Sequence, residues 1–116
     1  MNDFKYMMVF ITAADNEEAS LIAKVLLEQK KAACVSIMDG MNSTYWWKGD
    51  VENATESLVM VKTRASLLDD VVTAVTEVHS YENPEIIAMP VLGGSDRYFE
   101  WLDEALEPES GEPADP

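Results

Sequence analysis

The sequence predicts a single α+β domain in which strands and helices follow the order βαββαβ, with one further helix at the C-terminus. Its 116 residues match the usual size of one domain. Apolar residues make up 47 % of the chain, which is enough to form one buried core. Strand-like and helix-like hydrophobic patterns alternate, and most are bounded by turn or capping residues.

A change of hydrophobic period marks the first strand and the first helix. Met7 to Ala14 form a continuous apolar run, typical of a buried strand. Asp15 then suits a helix N-cap, with Glu18 at the spacing of a capping box. The apolar stripe of the helix follows at helical spacing: Ala19, Ile22, Ala23 and Leu26.

The next two strands are predicted to form an unusually long hairpin. Ala32 to Met38 indicate the second strand, which continues to the aromatic run Tyr45-Trp46-Trp47. Lys48-Gly49-Asp50 is a turn signal, and Val51 to Arg64 indicate the third strand. Both arms exceed the usual strand length of about five or six residues.

The second half of the chain repeats the alternation. Ser66 is predicted to cap the second helix, with Asp69 at capping-box spacing. Tyr81 to Glu85 are predicted to form a loop, because a residue before proline avoids the helical region. Ile86 to Leu92 indicate the fourth strand, and Pro90 within it favours an edge position. Ser95 is predicted to cap the C-terminal helix.

This order of elements is that of the ferredoxin-like split βαβ fold, in which both main helices cover one face of a four-stranded antiparallel sheet. The other face then lacks helices, and the hairpin carries exposed aromatic residues at its tip. Large apolar patches are uncommon on monomers, so we expect self-association to bury them. The alternative is that the aromatic residues fold back onto their own chain.

The charge balance limits the classes of partner. Asp and Glu number 22 against 8 Lys and Arg, a net charge of -14. We therefore expect no nucleic-acid partner and no anionic membrane surface. No apolar run approaches the roughly 20 residues of a membrane span. The domain is predicted to occupy residues 1–106, and residues 107–116 a disordered, acidic, proline-rich tail. A single cysteine and no visible targeting signal predict a cytoplasmic location.

Five segments, in order, resemble the CutA divalent-cation tolerance family. They are Ala32-Ala33-Cys34-Val35, Ser43-Thr44-Tyr45-Trp46-Trp47-Lys48-Gly49, Val61-Lys62-Thr63, His79-Ser80-Tyr81-Glu82-Asn83-Pro84-Glu85 and Tyr98-Phe99-Glu100-Trp101-Leu102. Two positions depart from the family pattern, which usually has proline at Ser80 and often an apolar residue at Asn83. The resemblance implies a homotrimer similar in architecture to PII signalling proteins, linked to copper and other divalent cations, with no established enzymatic reaction.

Four residues are candidate metal ligands: Cys34, His79, Glu82 and Glu85. Thiolate suits Cu(I), imidazole suits copper in either state, and carboxylates could complete a harder, weaker site. A closed zinc site within one chain is excluded by the count of one Cys and one His. Two structural alternatives remain open: Cys34 as a small buried hydrophobe, and His79 as a partner of a helix C-terminus.

A pocket between subunits is the second candidate site, for a small anionic or zwitterionic ligand. Its predicted residues are Tyr45, Trp47, Lys62, Tyr81, Pro84, Tyr98 and Trp101. Lys62 is notable as a cation in an apolar strand, and the alternative is that it pairs with a glutamate as an interface strut.

The sequence therefore predicts a trimeric, non-enzymatic protein of copper tolerance that binds copper or a similar cation modestly and needs no obligatory cofactor. The alternative is a PII-like module that binds a small ligand at subunit clefts and relays it to a protein partner. No catalytic constellation accompanies the lone histidine.

Overall fold

The order of elements is that predicted from the sequence. A computed structural model describes residues 4–107. They form β1 (Tyr6–Ala13), α1 (Asn16–Glu28), β2 (Cys34–Trp47), β3 (Asp50–Arg64), α2 (Leu68–Val78), β4 (Ile86–Pro90) and α3 (Asp96–Ala105). The α+β class and the ferredoxin-like arrangement are confirmed.

The four strands form one antiparallel sheet in the order β2-β3-β1-β4. Each helical crossover therefore skips one strand, which is the defining feature of the split βαβ unit. β4 lies at an edge and Pro90 is its last residue, as the proline predicted.

Helices α1 and α2 bury one face of the sheet. The core residues of β1 alternate along the strand, with Val9, Ile11 and Ala13 fully buried. Opposite them on β3, Val59 and Val61 are buried as well. Ala32, between α1 and β2, also belongs to this core, and the helices contribute the rest: Ala19, Ile22, Leu26, Val71, Ala74 and Val75.

The opposite face, here called the open face, carries the intervening side chains, and α3 covers only one end of it. Tyr6 stacks on Phe99 with ring centroids 4.6 Å apart. Asp103 of α3 accepts hydrogen bonds from the Tyr6 hydroxyl at 2.7 Å and from Arg64 Nε at 2.9 Å. These contacts hold the pKa of the Asp103 carboxyl below its ordinary value. Beyond α3, Met38, Ile87 and Met89 of the open face stay about half exposed.

A β-bulge divides β2 into two parts. Met38 lies opposite Leu58 and Met41 opposite Glu56, so Asp39 and Gly40 together face only one residue of β3. Gly40 has a φ of 75°, and Asp39 Oδ1 accepts hydrogen bonds from the Gly40 amide and from the Ser57 hydroxyl.

The bulge changes which residues of β2 face the open side. Before it, Cys34 and Ser36 lie there, opposite Lys62 and Met60. After it, the odd-numbered residues take over, among them Tyr45 and Trp47.

The β2–β3 hairpin, here called the arm, projects beyond the rest of the domain. The molecule measures 56 × 28 × 24 Å, and its radius of gyration is 15.6 Å. A chain of this length in a spherical domain has a radius of gyration of about 13 Å. Trp46 near the tip remains 74 % exposed, so the alternative that it folds back onto its own chain is wrong for the single subunit.

One predicted cap is confirmed at α1 and another is wrong at α2. Asp15 caps α1, accepting a hydrogen bond from the Glu18 amide at 2.9 Å. Ser66 does not cap α2, because it lies inside a 3₁₀ turn, Ala65–Leu67. That turn leads directly into α2, whose N-cap Leu67 makes no side-chain hydrogen bond. The predicted cap of α3, Ser95, is confirmed.

The predicted acidic tail lies outside the described residues except for Glu107. Its carboxylate accepts a hydrogen bond from Arg64 Nη2 at 3.1 Å, so Glu107 belongs to the folded domain. Within residues 4–107, no helix has both the length and the apolar character needed to cross a membrane.

The bulge makes a prediction about Gly40. A Cβ there would touch nothing within 4 Å, but a φ of 75° is unfavourable for alanine. We expect Gly40→Ala to lower the free energy of unfolding by about 1 kcal/mol. Gly93→Ala is the matched control, because its Cβ also meets open space and its φ is not positive. Chemical unfolding at one protein concentration measures both, and equal stabilities would contradict the proposed strain.

Candidate functional site

A cleft of about 700 Å³ opens between the arm and the loop of residues 79–85 that connects α2 to β4. Tyr45 and Trp47 line it from the arm. Tyr81, Glu82 and Glu85 line it from the loop. Its described lining residues include three carboxylates, counting Glu56 of β3, and no Lys or Arg.

Glu56 and Tyr81 form the polar floor of this cleft. Glu56 is only 7 % exposed, and its Oε2 accepts a hydrogen bond of 2.8 Å from the Tyr81 hydroxyl. Burial and the neighbouring Glu56 carboxylate raise the pKa of Tyr81 far above its ordinary value, so the phenol keeps its proton. The other carboxylate oxygen, Oε1, has no hydrogen-bond partner within residues 4–107.

His79 lies behind the cleft and holds the loop in place. Its side chain is fully buried. Nδ1 accepts a hydrogen bond from the Tyr81 amide at 3.0 Å, and Nε2 lies 2.7 Å from the Thr12 carbonyl oxygen. These partners assign the ring proton to Nε2, so neither nitrogen has a lone pair left for a metal. The contact with Thr12 differs from the predicted interaction with a helix C-terminus, although His79 is the C-cap residue of α2.

Glu18 joins this loop to the start of α1. Its Oε1 accepts a hydrogen bond from the Ala14 amide at 2.8 Å, and its Oε2 accepts one from the Ser80 amide at 2.6 Å. Burial alone would raise the pKa of Glu18, but these hydrogen bonds outweigh it and hold the pKa below its ordinary value. The residue predicted as part of a capping box therefore also fixes the loop of the cleft.

Cys34 and Lys62 form a second polar group at the other end of the open face. Lys62 Nζ donates a hydrogen bond to Ser36 Oγ at 2.7 Å and lies 3.8 Å from Cys34 Sγ. Burial and the neighbouring Cys34 raise the pKa of Tyr98 on α3. Lys62 forms no ion pair with any carboxylate of residues 4–107, so the predicted strut to a glutamate is not made inside the subunit.

The residues predicted to share a pocket between subunits therefore fall into two groups within one subunit. Tyr45, Trp47 and Tyr81 line the cleft, and Pro84 lies in the same loop. Lys62 and Tyr98 lie near Cys34, and the ring of Trp101 is 5.5 Å from that of Tyr98. Lys62 and Glu56 are six residues apart on β3, a distance of about 20 Å along the strand.

The candidate metal ligands are divided in the same way. Glu82 and Glu85 line the cleft and His79 lies behind it, whereas Cys34 belongs to the distant group. No three His, Cys, Asp or Glu side chains of residues 4–107 are grouped so that they could hold one metal ion. Any site that combines Cys34 with His79 would need more than one subunit.

Sequence reasoning did not identify Glu56, the buried carboxylate of the cleft. The signal was weak, because β3 also carries Asp50 and Glu52, although Glu56 has the same strand parity as Lys62. The loop contact of Glu18 left no signal, since 62 residues separate it from Ser80.

Comparison with known proteins agrees with this architecture. A family described as CutA1 divalent ion tolerance protein matches residues 7–105, so the chain belongs to the CutA1 family. The divalent-cation tolerance protein CutA of Archaeoglobus fulgidus is 44 % identical over 99 residues, which are 85 % of this chain and 96 % of that protein. The chloroplastic CutA of Arabidopsis thaliana is 42 % identical, but the matched region is only 53 % of its length. The chain thus spans about half the length of the plant relatives it matches.

Solved structures give the same result. The structure of the periplasmic divalent cation tolerance protein CutA from Archaeoglobus fulgidus superposes with a TM-score of 0.85 at 43 % identity, covering 88 % of this chain and 99 % of that one. CutA1 from the psychrotrophic bacterium Shewanella sp. SIB1 superposes with a TM-score of 0.86 at 31 % identity, covering 90 % and 97 %.

Glu18 gives a prediction with a defined pH dependence. Glu18→Gln replaces one acceptor oxygen with an N–H donor that faces a backbone amide N–H. We therefore expect the free energy of unfolding to fall by about 1–3 kcal/mol at pH 7. The folded pKa of Glu18 is depressed, so its contribution is present above its ordinary pKa of 4.5 and is lost as the pH falls through the folded value. The difference between wild type and variant should therefore shrink in acid.

Glu17→Gln is the control, because Glu17 is exposed in the same helical turn and should change stability by only about 0.5 kcal/mol. Unfolding curves at pH 7 and pH 3 measure both variants. If the free energy of unfolding lost in Glu18→Gln does not depend on pH, the stabilising role given to the ionised Glu18 carboxylate is wrong.

Proposed function

We propose that this protein is a non-enzymatic homotrimer that acts in divalent-cation tolerance and binds copper or similar cations modestly. The observation that carries the assembly is the open face of the subunit. Ile87 and Met89 are 52 % and 49 % exposed there, beside an arm that carries a Trp46 exposed by 74 %. Apolar surface of this extent is uncommon on a monomer, and neighbouring copies would remove it from water.

The functional part of the proposal is supported by what related proteins are described to do. The relatives from Archaeoglobus fulgidus and Thermus thermophilus are both described as divalent-cation tolerance proteins, and the chain covers 96 % and 94 % of their length. Copper is the proposed cation because Cys34 offers the soft ligand that Cu(I) prefers. The sulfur of Cys34 lies on the open face, 3.8 Å from Lys62 Nζ.

Modest affinity follows from the small number of ligands that meet in one subunit. Cys34 has no second Cys or His beside it within residues 4–107, so copper would be bound with low coordination or across subunits. Glu82 and Glu85 would add only weak binding. The net charge of -14 also attracts cations without a specific site.

The absence of catalysis is proposed from the state of the single histidine. Hydrolytic sites commonly use a histidine as the proton acceptor, and here both ring nitrogens bind the backbone.

The cytoplasmic location stays a prediction, because a plant relative is described as chloroplastic and an archaeal one as periplasmic.

The assembly is tested by sedimentation. We expect a species of three 12.9 kDa chains that persists on dilution. Ile87→Glu places a charge on the open face and should yield smaller species. Leu21→Glu is the matched control, because Leu21 is 45 % exposed on α1, away from that face, and its variant should remain trimeric. A stable, folded wild-type monomer would refute the proposal.

Copper binding is tested by anaerobic competition of the protein with a Cu(I) chelator. We expect Cys34→Ala to remove the tighter phase of binding, and Ser36→Ala, on the same face, to retain it. His79→Ala should lower the melting temperature without changing the copper stoichiometry, because His79 holds the loop through two hydrogen bonds. Identical weak isotherms for all four proteins would exclude a specific site.

A further inference from the structure

Strand β3 carries opposite charges at the two ends of one side, and this polarity indicates how neighbouring copies meet. We propose that the arm of one copy lies across the open face of the next, and that Glu52 of the arm pairs there with Lys62. The inference rests on the proposed homotrimer. It adds the direction of the interface and the two residues that form its ion pair.

The first support is the charge pattern of β3. Lys62 faces the open side at the end of the strand that lies near α3. Asp50, Glu52 and Glu56 have the same strand parity as Lys62, so their side chains leave β3 on that side as well, but within the arm. The open side of one strand therefore changes from acidic in the arm to basic in the body of the domain.

The second support is the state of Lys62 once the open face is covered. In the subunit its Nζ lies 2.7 Å from Ser36 Oγ and 3.8 Å from Cys34 Sγ, and no carboxylate of residues 4–107 forms an ion pair with it. A neighbouring copy on the open face removes this ammonium from water. A buried charge is unfavourable without a counter-charge, so the covering copy must supply a carboxylate.

The third support is that Glu52 is the acid of the arm that remains available. Glu56 already accepts a hydrogen bond of 2.8 Å from the Tyr81 hydroxyl. Asp50 is two residues from Lys48, the cation of the turn. Glu52 is exposed, and its side chain has no hydrogen bond or ion pair with any other residue of the part of the chain that the structure describes.

Only another copy can bring Glu52 to Lys62. The two residues are ten positions apart on β3, which is about 33 Å along a strand. A ring of three identical chains needs two different patches on each chain, because each contact is head to tail. The arm and the open face are two such patches. The long axis of 56 Å, against 28 and 24 Å for the others, shows that the arm projects far enough to reach a neighbour.

The ion pair is tested by charge reversal and its rescue. Lys62→Glu and Glu52→Lys each place like charges at the contact, and we expect subunits to exchange between trimers at least about tenfold faster than in wild type. In the double variant the charges are opposite again, so its exchange rate should return to within about threefold of wild type. Mass spectrometry of mixed unlabelled and ¹⁵N-labelled trimers measures these rates.

Lys24→Glu is the matched control, because it makes the same change of charge at an exposed position on α1 and should leave the exchange rate unchanged. If Lys24→Glu and Lys62→Glu accelerate exchange equally, the effect is one of net charge and the proposal is wrong. It is also wrong if the double variant exchanges as fast as the faster single variant. Glu52 is exposed, so Glu52→Lys should keep the fold. If Lys62→Glu fails to fold, an unchanged rate in Glu52→Lys overturns the proposal by itself.

The head-to-tail direction is tested with the native thiol beside Lys62. Glu52→Cys places a second thiol in the arm, and a short bismaleimide should join it to Cys34 of the next copy. Two thiols per chain link every chain of a ring, so we expect covalent trimers on a denaturing gel. Wild type has one cysteine and cannot exceed a covalent dimer. A largest product of Glu52→Cys at the dimer or the monomer would overturn the head-to-tail contact.

These outcomes are distinguishable from failure of the proposed function. If wild type sediments as a trimer and the double variant shows no rescue, the homotrimer stands and the pairing of Glu52 with Lys62 is wrong. A stable wild-type monomer would remove both.

Discussion

Two crossover helices can cover only one face of the sheet, and the rest of the molecule follows from that constraint. Connections between parallel strands are right-handed, and this places both crossovers on the same side. Val9, Ile11, Val59 and Val61 therefore enter a complete core. The other face must be covered by some other element. Helix α3 covers one end, through Tyr6, Arg64 and Asp103, and the middle remains exposed in the subunit.

The open face has two chemically different ends. At one end Lys62 lies between Ser36 and Cys34, close to α3. At the other end Glu56 lies beneath the 79–85 loop, next to the aromatic residues of the arm. A thiol is a soft donor, whereas a carboxylate and a phenol are hard oxygen donors. The two ends of the open face therefore present different donor groups.

The loop of the cleft is held by hydrogen bonds to the backbone. His79 binds the backbone at Thr12 and Tyr81, and Glu18 binds the amides of Ala14 and Ser80. Ser80 replaces the proline that the family usually has, and its amide is a hydrogen-bond donor that proline lacks. The departure from the family pattern therefore coincides with an interaction that fixes the loop. A rigid loop matters here because it carries Tyr81, Glu82 and Glu85 into the cleft.

The sequence by itself determined the order of elements, the length of the arm, the Asp15 and Ser95 caps and the edge position of β4, because these depend on periodicity and on neighbours close along the chain. The capping-box spacing gave a wrong prediction at Ser66, because this residue lies in a 3₁₀ turn and does not cap α2. Only the tertiary structure decided which candidate residues meet. Lys62 and Tyr81 were predicted to share a pocket between subunits, and within one subunit they lie at opposite ends of the open face, so such a pocket would have to combine residues of two chains. The contact between Glu56 and Tyr81 and the contact between Glu18 and Ser80 join residues that are far apart in the chain. The bulge at Gly40 shifts the alternation of β2, so Tyr45 and Trp47 face the side opposite to the one that an unbroken strand would give them.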